Sequence, residues 1–576
     1  IRQQAHHGSL RSKGPGIATM PEVHEACGLD VDGMYAALKI LQDAGLIAIE
    51  GEYPFEEIRL VHEPYNMVGH FVDRHLREGR GNKIAVVSDH HSLTYAQIAE
   101  LVNRAGNGLR QLGIQKEQRV LLLLPDCPEF IAAYFGAIKI GAVAVPTNTA
   151  LRTADYAYCL DESGATALIV HSSLYPLVEP ALVARSGLRH VIVCGERQHG
   201  QLFWDEWIAA QSPNLDAAET SKDDIAFWLW TSGSTGTPKA AVHRHRDWHH
   251  CAEHYARGVL GIGPEDVTFS SSKLFHAYGL GNGLMFPFHV GATTVLYSGR
   301  PQAKAILEKA QGSRPTLFFS VPTLYAAMLQ QAESESYDLS TVRLAISAAE
   351  PLPAEIFRQW RDRFGVEILD GIGSTEVLHI YLSARAGEVK PGSTGQPVPG
   401  YKLRIVDQAS QDVPPGTIGD LLVSGESTSP CYWNRGELSA ERMQGEWFHS
   451  GDKYSVDEEG YYWYAGRSDD MFRVSGQWLS PIEVECALVE HAAVLEAAVV
   501  PFEESNGLHS TKAFVVLKRG FTETPELVHE LQDFVKQRIT PYKYPRRVEF
   551  LSELPKSAAG KVLRYKLRGV GAEGGA

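Results

Sequence analysis

The chain contains one stretch that is unusually rich in hydroxyl side chains and glycine: Thr231-Ser232-Gly233-Ser234-Thr235-Gly236-Thr237-Pro238-Lys239. It follows the apolar segment 226–230, which reads as a strand. Two glycines let backbone N–H groups approach an anion, five hydroxyl groups add donors, and Lys239 supplies a positive charge. A Ser/Thr/Gly loop alone is more often a flexible turn, so its companions decide whether it binds phosphate.

Charged residues suited to a nucleotide recur C-terminal to this loop. The motif Asp370-Gly371-Ile372-Gly373-Ser374-Thr375-Glu376 puts a carboxylate after a second tight turn, where it suits Mg²⁺. Asp452 is placed to accept hydrogen bonds from two ribose hydroxyls. Two further motifs follow at 466–470 and 555–561, and the second ends in Lys561.

Short apolar strands alternate with amphipathic helices from about residue 85 onward, which is typical of α/β layers. The chain becomes strand-rich near Tyr401, and a final α/β unit begins near Asp470. The longest apolar run, 130–145, contains Lys139 and is too short for a membrane span, so we predict a buried helix that runs into a strand. The other predicted strands include 85–87, 119–124, 167–170, 190–194, 317–320 and 497–501.

Composition excludes several classes of protein. The chain has 54 Lys and Arg against 69 Asp and Glu, a net charge of −15, which argues against a protein that works by gripping nucleic acid or an anionic membrane. Its seven cysteines are odd in number and form no CxxC pair. A disulfide framework is therefore not expected, and a cytoplasmic location fits better.

The N-terminal region differs from the rest of the chain. Residues 1–19 are polar and glycine-rich and are predicted to be a disordered leader. Within 20–60, the apolar spacing of Met34 and Leu38 predicts a helix, and 46–49 reads as a strand. This order resembles a winged-helix module. Only two basic residues lie in 20–60, which favours an accessory lobe without a DNA-binding role.

Taken in order, the five motifs resemble the adenylate-forming superfamily, which comprises acyl-CoA synthetases, adenylation domains and luciferases. The resemblance spans about residues 65–570. It implies an α/β fold with a large, multi-subdomain N-terminal adenylation domain at 62–466 and a small, mobile α+β C-terminal domain at 467–576. The leader and the winged-helix-like lobe precede both domains.

The resemblance assigns ATP to residues from several motifs. It implies that the loop ending at Lys239 holds the β- and γ-phosphates, that Glu376 ligates Mg²⁺, and that Asp452 and Arg467 contact the ribose. Many members of the superfamily stack a tyrosine on the adenine where this chain has Ile372. The further ATP contacts that it implies are Ala349, Glu350, Pro351, Asp370, Gly371, Ile372, Ser374 and Thr375.

The resemblance also implies two successive half-reactions. Lys561 matches the lysine that bridges the carboxylate and the α-phosphate during adenylation. Asp469 matches the hinge about which the C-terminal domain rotates. Arg473, Ser475 and Gly476 match residues beside the tunnel through which coenzyme A delivers its thiol.

Two segments, 373–380 and 471–481, look like the benzoate-CoA ligase branch, which commonly has Lys where this chain has Arg473. By resemblance, His276 gates the carboxylate side of the acyl pocket. Small residues in the pocket would leave room for a flat ring, and His379 would offer a hydrogen bond to a ring substituent. The residues that would surround the ring are Ala277, Tyr278, Gly279, Gly371, His379 and Ile380.

These observations predict an AMP-forming aryl-CoA ligase that activates benzoate or a hydroxy- or aminobenzoate with ATP, Mg²⁺ and coenzyme A. Two alternatives stay open. In the first, the enzyme loads the aryl acid onto a separate carrier protein; the chain contains no Gly-Gly-x-Ser carrier site, which favours free coenzyme A or a separate carrier as acceptor. In the second, the chain is a DNA-binding regulator that senses an aryl acid, which rests on residues 20–60 alone. A homodimer is also left open.

Five histidines crowd the segment after the phosphate loop: His243, His245, His249, His250 and His254. His250 and His254 have the i, i+4 spacing that can hold a metal on a helix. Arg244 and Arg246 would repel a cation there, so we expect an exposed helix without a metal.

Overall fold

A computed structural model describes most of the chain, and the chain divides into two compact units. The first unit comprises residues 1–65 and 219–222, and the second comprises 66–218 and 223–576. The described residues are 17–19, 34, 38, 39, 42, 47–50, 57–60, 64–182, 187–232, 238–468, 470–474, 477–503, 509–556 and 562–568.

The first unit contains a three-stranded antiparallel sheet, in the order Ile17–Thr19, Glu57–Leu60, Ile47–Glu50. Met34 and Leu38 are helical and buried, as their spacing predicts. The prediction that residues 1–19 are disordered is wrong for Ile17–Thr19. These three residues form a strand, and pairing with Glu57–Leu60 satisfies its backbone hydrogen bonds. The winged-helix assignment stays a prediction.

The second unit is built on two large sheets of mainly parallel strands. The first has seven strands, in the order Leu202–Phe203, His190–Cys194, Ala167–His171, Arg119–Leu123, Val143–Pro146, Ile225–Ser232 and Pro238–Arg244. The last two strands are antiparallel to each other and form the hairpin that flanks the predicted phosphate loop. The central strands are almost wholly buried, as expected for a parallel sheet covered on both faces.

The second large sheet has nine strands and carries most of the candidate site. Its first two strands, Gln396–Pro397 and Ile380–Ser383, are antiparallel to their neighbours, and so is its last, Ser92–Thr94. The six parallel strands between them are, in spatial order, Ile368–Gly373, Leu344–Ser347, Leu317–Ser320, Val267–Ser270, Thr293–Val295 and Ile84–Val87.

The C-terminal third is rich in strands, as the sequence predicts, and most of these strands pair antiparallel. One sheet contains Lys402–Val406, Gly419–Ser424, Met443–Gln444, Trp447–Val456 and Tyr462–Arg467. A two-stranded ribbon follows, Phe472–Val474 with Gln477–Leu479. The last sheet contains Val494–Glu503, His509–Leu517 and Arg547–Phe550. The predicted division near residue 466 stays a prediction.

The longer helices lie between the strands where the amphipathic pattern predicts them. The apolar run 130–145 forms the helix Pro128–Lys139 and then the strand Val143–Pro146, which confirms the predicted buried helix and strand. No helix in the described part of the chain has both the length and the hydrophobicity needed to span a bilayer. The other helices of eight or more residues are Tyr95–Gln111, Thr153–Ser163, Tyr175–Leu182, Ala303–Ser313, Pro322–Ser334, Ala354–Phe364, Pro481–Val489 and Pro525–Arg538.

The histidine-rich segment is not the exposed helix that we expected. His243 lies in the strand Pro238–Arg244, and both His243 and His245 are fully buried. The helix begins only at Asp247, and of the five histidines His249 is the exposed one. The prediction failed because the segment continues the hairpin, so its side chains pack between elements of the core.

The shorter helical segments are Gly69–Asp73, Arg74–Arg77, Trp204–Ala209, Asp247–Cys251, Ala252–Arg257, Ala277–Leu280, Gly281–Met285, Phe286–Val290, Gly436–Arg442, Pro541–Lys543 and Arg564–Leu567.

Candidate active site

Ten of the residues predicted from the sequence follow the carboxyl ends of parallel strands in one sheet, where ligands bind in open α/β sheets. His276, Ala277, Tyr278 and Gly279 come after Val267–Ser270. Ala349, Glu350 and Pro351 come after Leu344–Ser347, and Ser374, Thr375 and Glu376 come after Ile368–Gly373. Since these strands are adjacent or one strand apart, one edge of the sheet collects all three groups.

The predicted phosphate lysine and the predicted magnesium ligand meet at a tyrosine. Lys239 Nζ lies 5.1 Å from the ring centroid of Tyr432, whose hydroxyl donates to Glu376 Oε1 at 2.7 Å. Lys239 pairs with Thr231 across the hairpin. Burial lowers the pKa of Lys239, and the nearby Glu376 carboxylate opposes that shift. The arrangement sets a cation, an anion and an aromatic ring beside the loop.

A buried histidine ties the hairpin to the turn that carries Glu376. His243 Nε2 donates to the carbonyl oxygen of Thr375 at 2.8 Å, and His243 Nδ1 lies 3.1 Å from Asp247 Oδ2. Asp247 is also fully buried and accepts from the backbone N–H of Arg244 at 3.0 Å. Both ring nitrogens therefore face oxygen atoms, and the imidazole is fixed at both ends.

The predicted ribose residues form an ion pair on neighbouring strands. Asp452, in the strand Trp447–Val456, lies opposite Arg467, in the strand Tyr462–Arg467. Arg467 Nη1 is 3.1 Å from Asp452 Oδ1. Asp452 is buried. Gly451, which precedes Asp452, has φ +75°, and a Cβ there would lie 2.9 Å from Arg442 Nη1. Only glycine therefore fits this bend.

His379 is enclosed by four aromatic rings. Its own ring centroid lies 4.5 to 6.2 Å from the centroids of Phe286, Tyr278, Tyr255 and Trp248. Its Nε2 donates to the carbonyl oxygen of Tyr278 at 3.3 Å, while Nδ1 has no hydrogen-bond partner among the described residues. Burial lowers the pKa of His379 to about 3, so the ring is neutral and Nδ1 is an acceptor.

Glycines bring backbone and rings into close contact around this histidine. A Cβ at Gly281 would lie 2.4 Å from His379 Cδ2, and one at Gly279 would lie 2.1 Å from the Lys273 carbonyl oxygen. A Cβ at Gly371 would lie 3.0 Å from Ile380 Cγ2, and Ile380 itself is buried. The glycine at each of these positions is therefore required by packing.

Tyr278 is anchored to the sheet rather than left to rotate. Its hydroxyl lies 3.2 Å from the Ser320 carbonyl oxygen and 3.1 Å from that of Ile346, at the ends of two neighbouring strands. His276, two residues earlier, is the N-cap of the helix Ala277–Leu280, and its carbonyl oxygen accepts from the Leu280 N–H at 2.8 Å. The ring of Tyr278 is thereby held in place as one wall around His379.

Two carboxyl groups of the predicted ATP site are desolvated. Burial raises the pKa of Glu350 to about 7, with Lys556 lowering and Glu496 raising it by smaller amounts. Burial also raises the pKa of Asp370, and hydrogen bonds from the backbone N–H groups of Leu352 and Gly371 oppose that rise. Ala349 has φ +75°, a strained backbone for a residue with a Cβ.

Several predicted residues lie outside the described residues: Gly233, Ser234, Thr235, Gly236, Asp469, Ser475, Gly476 and Lys561. Their flanks are ordered by backbone pairing. Lys556 and Val562 bridge each other on either side of Lys561, and Leu563 N donates to Pro555 O at 2.8 Å. Arg473 pairs with Trp478 on either side of the predicted CoA turn.

Comparison with known proteins decides the family. The model for AMP-binding enzymes matches residues 72–433, and the model for the C-terminal domain of AMP-binding enzymes matches residues 483–561. The chain belongs to the AMP-binding enzymes. The first match alone spans more than half of the chain, which confirms the resemblance drawn from the motifs.

Relatives of this AMP-binding enzyme include ligases of aromatic acids. It is 48% identical to a benzoate–CoA ligase of Thauera aromatica over 88% of this chain and 96% of that protein. It is 43% identical to a 4-hydroxybenzoate–CoA/benzoate–CoA ligase of Rhodopseudomonas palustris, over 88% and 94% of the two chains. The solved structure of an anthranilate CoA ligase in complex with anthranoyl-AMP is 41% identical, with a TM-score of 0.85, and covers 88% of this chain and 97% of that chain.

Sequence reasoning missed several residues that the structure places beside the predicted site residues. Tyr432 carries no charge and belongs to no recognised motif, so nothing marked it before the fold brought it to Glu376. His243 was expected on an exposed helix, and Asp247 was not considered, although the i, i+4 spacing of the two residues was a signal for a pair. Around His379, the missed ring residues are Phe286, Tyr255 and Trp248.

We expect Gly281→Ala to destabilise the enzyme by about 1–3 kcal/mol, because the new Cβ overlaps the enclosed ring of His379. Urea unfolding measures the change. The control is Gly283→Ala in the same helix, where a Cβ meets only the end of the Leu274 side chain at 3.1 Å. Equal losses of stability for the two variants would contradict the steric argument.

Glu350 should make stability depend on pH. Its pKa rises from an ordinary 4.5 to about 7 on folding. Its contribution to the free energy of unfolding is therefore complete below pH 4.5 and is lost as the pH rises through 7. Glu350→Gln cannot ionise, and we expect it to stabilise the fold by roughly 1–2 kcal/mol at pH 8 but little at pH 4.5. Thermal melting at both pH values tests this. Glu333→Gln, at an exposed helix position, is the control and should show no such pH dependence.

Proposed function

We propose that this enzyme activates an aryl carboxylic acid, benzoate or a hydroxy- or aminobenzoate, with ATP and transfers the acyl group to coenzyme A. The single observation that carries the proposal is the aromatic enclosure of His379, three residues beyond Glu376 and at the same sheet edge as the predicted ATP residues. Aromatic walls favour a flat aryl ring over a long aliphatic chain. The names of the relatives, which include ligases of benzoate, 4-hydroxybenzoate and anthranilate, support the same substrate class.

In the first half-reaction, a carboxylate oxygen of the acid attacks the α-phosphorus of ATP. An acyl-adenylate forms, and pyrophosphate leaves with the electrons of the broken P–O bond. Two anions have to approach each other, and the positive charges of Lys239 and Lys561 offset their repulsion. The Asp452 carboxylate and the Arg467 guanidinium position the ribose.

Glu376 fits the role of magnesium ligand. Its Oε1 accepts from the Tyr432 hydroxyl, which orients the carboxylate and leaves Oε2 as an oxygen donor for a hard cation. When bound, Mg²⁺ would neutralise phosphate charge. The Tyr432 hydroxyl holds the Glu376 carboxylate in place, and the ring of the same tyrosine lies beside Lys239 Nζ.

In the second half-reaction, the thiol sulfur of coenzyme A attacks the acyl carbon, the thioester forms, and AMP leaves. We propose that a rotation at Asp469 removes Lys561 and brings in the turn of Arg473, Ser475 and Gly476. Asp470, next to the proposed hinge, is held by Arg568 at 2.6 Å. That ion pair links the proposed hinge to the helix Arg564–Leu567.

The unpartnered acceptor at His379 supports an acid with a hydroxy or amino group on its ring, because a donor on the substrate would satisfy Nδ1. Tyr278 offers no equivalent, since its hydroxyl already faces two backbone carbonyl groups. His276 is assigned to the carboxylate side of the acid, and Ala277 leaves room beside the ring.

An acid panel tests the substrate class. Pyrophosphate release is measured with benzoate, the hydroxybenzoates, the aminobenzoates and octanoate. We expect the aryl acids to be faster, and His379→Phe to lose about tenfold of any preference for a donor-bearing ring over benzoate, since one such contact contributes ~1–3 kcal/mol. Octanoate turning over faster than every aryl acid would refute the proposal.

The same assay distinguishes the acyl acceptors. Products are followed with coenzyme A and, separately, with a holo-carrier protein. We expect thioester formation with coenzyme A, which the names of both curated relatives favour. Transfer to the carrier alone would support the carrier-loading alternative. The homodimer, the cytoplasmic location and the role of residues 20–60 stay predictions.

Lys561→Ala should separate the two half-reactions. We expect adenylation to fall by at least 10²-fold, because the charge that bridges the two anions is lost, while thioester formation from supplied benzoyl-adenylate continues. Lys566→Ala, at an exposed position in the same segment, is the matched control and should retain both activities. Equal loss of both half-reactions in Lys561→Ala would contradict the two-conformation mechanism.

A further inference from the structure

Three histidines from distant parts of the second unit converge at a point that the proposed reaction does not use. His70 lies in Gly69–Asp73, His249 in Asp247–Cys251 and His289 in Phe286–Val290. One ring nitrogen from each lies within 4.8 Å of the other two. The ring centroids are 4.8, 5.0 and 5.5 Å apart.

The spacing is close to that of ligands around one metal ion. His70 Nε2 and His289 Nδ1 are 2.9 Å apart and form a hydrogen bond, whose proton a bound metal ion would replace. A tetrahedral zinc ion with Zn–N bonds of about 2.0–2.1 Å holds its nitrogen ligands roughly 3.4 Å apart. The two rings would have to separate by only a few tenths of an ångström. His249 is exposed, so an ion can enter from solvent and keep a water as its fourth ligand.

Glu253 selects the tautomer that a metal requires. His289 Nε2 lies 3.0 Å from Glu253 Oε2, so Nε2 carries the proton and Nδ1 presents its lone pair to the cluster. Arg257 holds the same carboxylate through two contacts of 3.0 Å. A carboxylate behind a ligating histidine is the usual support of zinc sites.

The two charged groups beside the cluster, Arg74 and Glu253, have opposite effects on a bound cation. Arg74 contacts the backbone carbonyl oxygen of His289 and adds a positive charge that disfavours a cation, whereas the Glu253 carboxylate favours one. The hydrogen bond between His289 Nε2 and Glu253 leaves the lone pair of Nδ1 available, and imidazole ligates a metal ion through such a lone pair.

We propose that His70, His249 and His289 bind a divalent transition-metal ion, zinc by preference, at a structural site that joins three segments of the fold. Imidazole ligands favour zinc and exclude Mg²⁺, which takes oxygen ligands, so this site is chemically distinct from the one proposed at Glu376. It also differs from the pair His250 and His254, whose ring centroids are 4.5 Å apart but which offer only two ligands.

Zinc titration of the full chain after EDTA treatment and dialysis tests the proposal. Calorimetry and metal analysis should give one tightly bound zinc per chain, zinc should raise the melting temperature of the ATP-free protein, and Mg²⁺ at the same concentration should do neither. Absence of stoichiometric zinc binding by the wild-type protein would overturn the proposal.

Variants locate the ion. His249→Ala changes an exposed side chain and should weaken zinc binding at least 100-fold with the fold retained. Glu253→Gln should weaken it about 10–100-fold through the tautomer of His289. His254→Ala is the matched control from the same region and should bind zinc as the wild type does. Unchanged binding in His249→Ala, or its loss in His254→Ala, would place the ion elsewhere and refute the site.

Discussion

The antiparallel pairing of Ile368–Gly373 with Ile380–Ser383 is the constraint on which the candidate site depends. The six residues between these strands carry both Glu376 and His379, so the predicted metal ligand and the aromatic enclosure share one turn. Gly373 permits the turn, since a Cβ there would lie 2.5 Å from the His379 carbonyl oxygen. Leu378 takes φ +78°, which is strained for a residue with a branched side chain.

Neighbouring segments hold this turn from outside. The Ser427 hydroxyl donates to the Val377 carbonyl oxygen at 2.8 Å, and His243 donates to the Thr375 carbonyl oxygen. The hairpin that carries Lys239 is therefore attached to the turn that carries Glu376 through a buried imidazole. Glu376 in turn accepts from Tyr432, so charged groups far apart in sequence are fixed by hydrogen bonds rather than by charge alone.

The sequence was sufficient for many of the local elements and for the family. The strand 190–194 has the predicted bounds, because a buried apolar run between polar segments marks both of its ends. The strand predicted at 497–501 extends over Val494–Glu503, because its pairing with His509–Leu517 fixes its ends. Periodicity could not place Phe286 or Tyr432 at the site, since only long-range packing brings them there. It also misplaced His243, whose polar side chain reads as exposed until its two oxygen partners are known.

The anchoring of Tyr278 bears on how substrate preference can change in such enzymes. Its hydroxyl joins the aromatic wall to the ends of two strands, so altering this ring disturbs the main sheet as well as the pocket. Among the described residues, one ring nitrogen of His379 has a partner, and that partner is a backbone carbonyl oxygen of the same wall. Preference for a new acid can thus evolve by substitution of His379 while Tyr278 and the main sheet stay unchanged. The pocket can therefore change its substrate without a loss of fold stability.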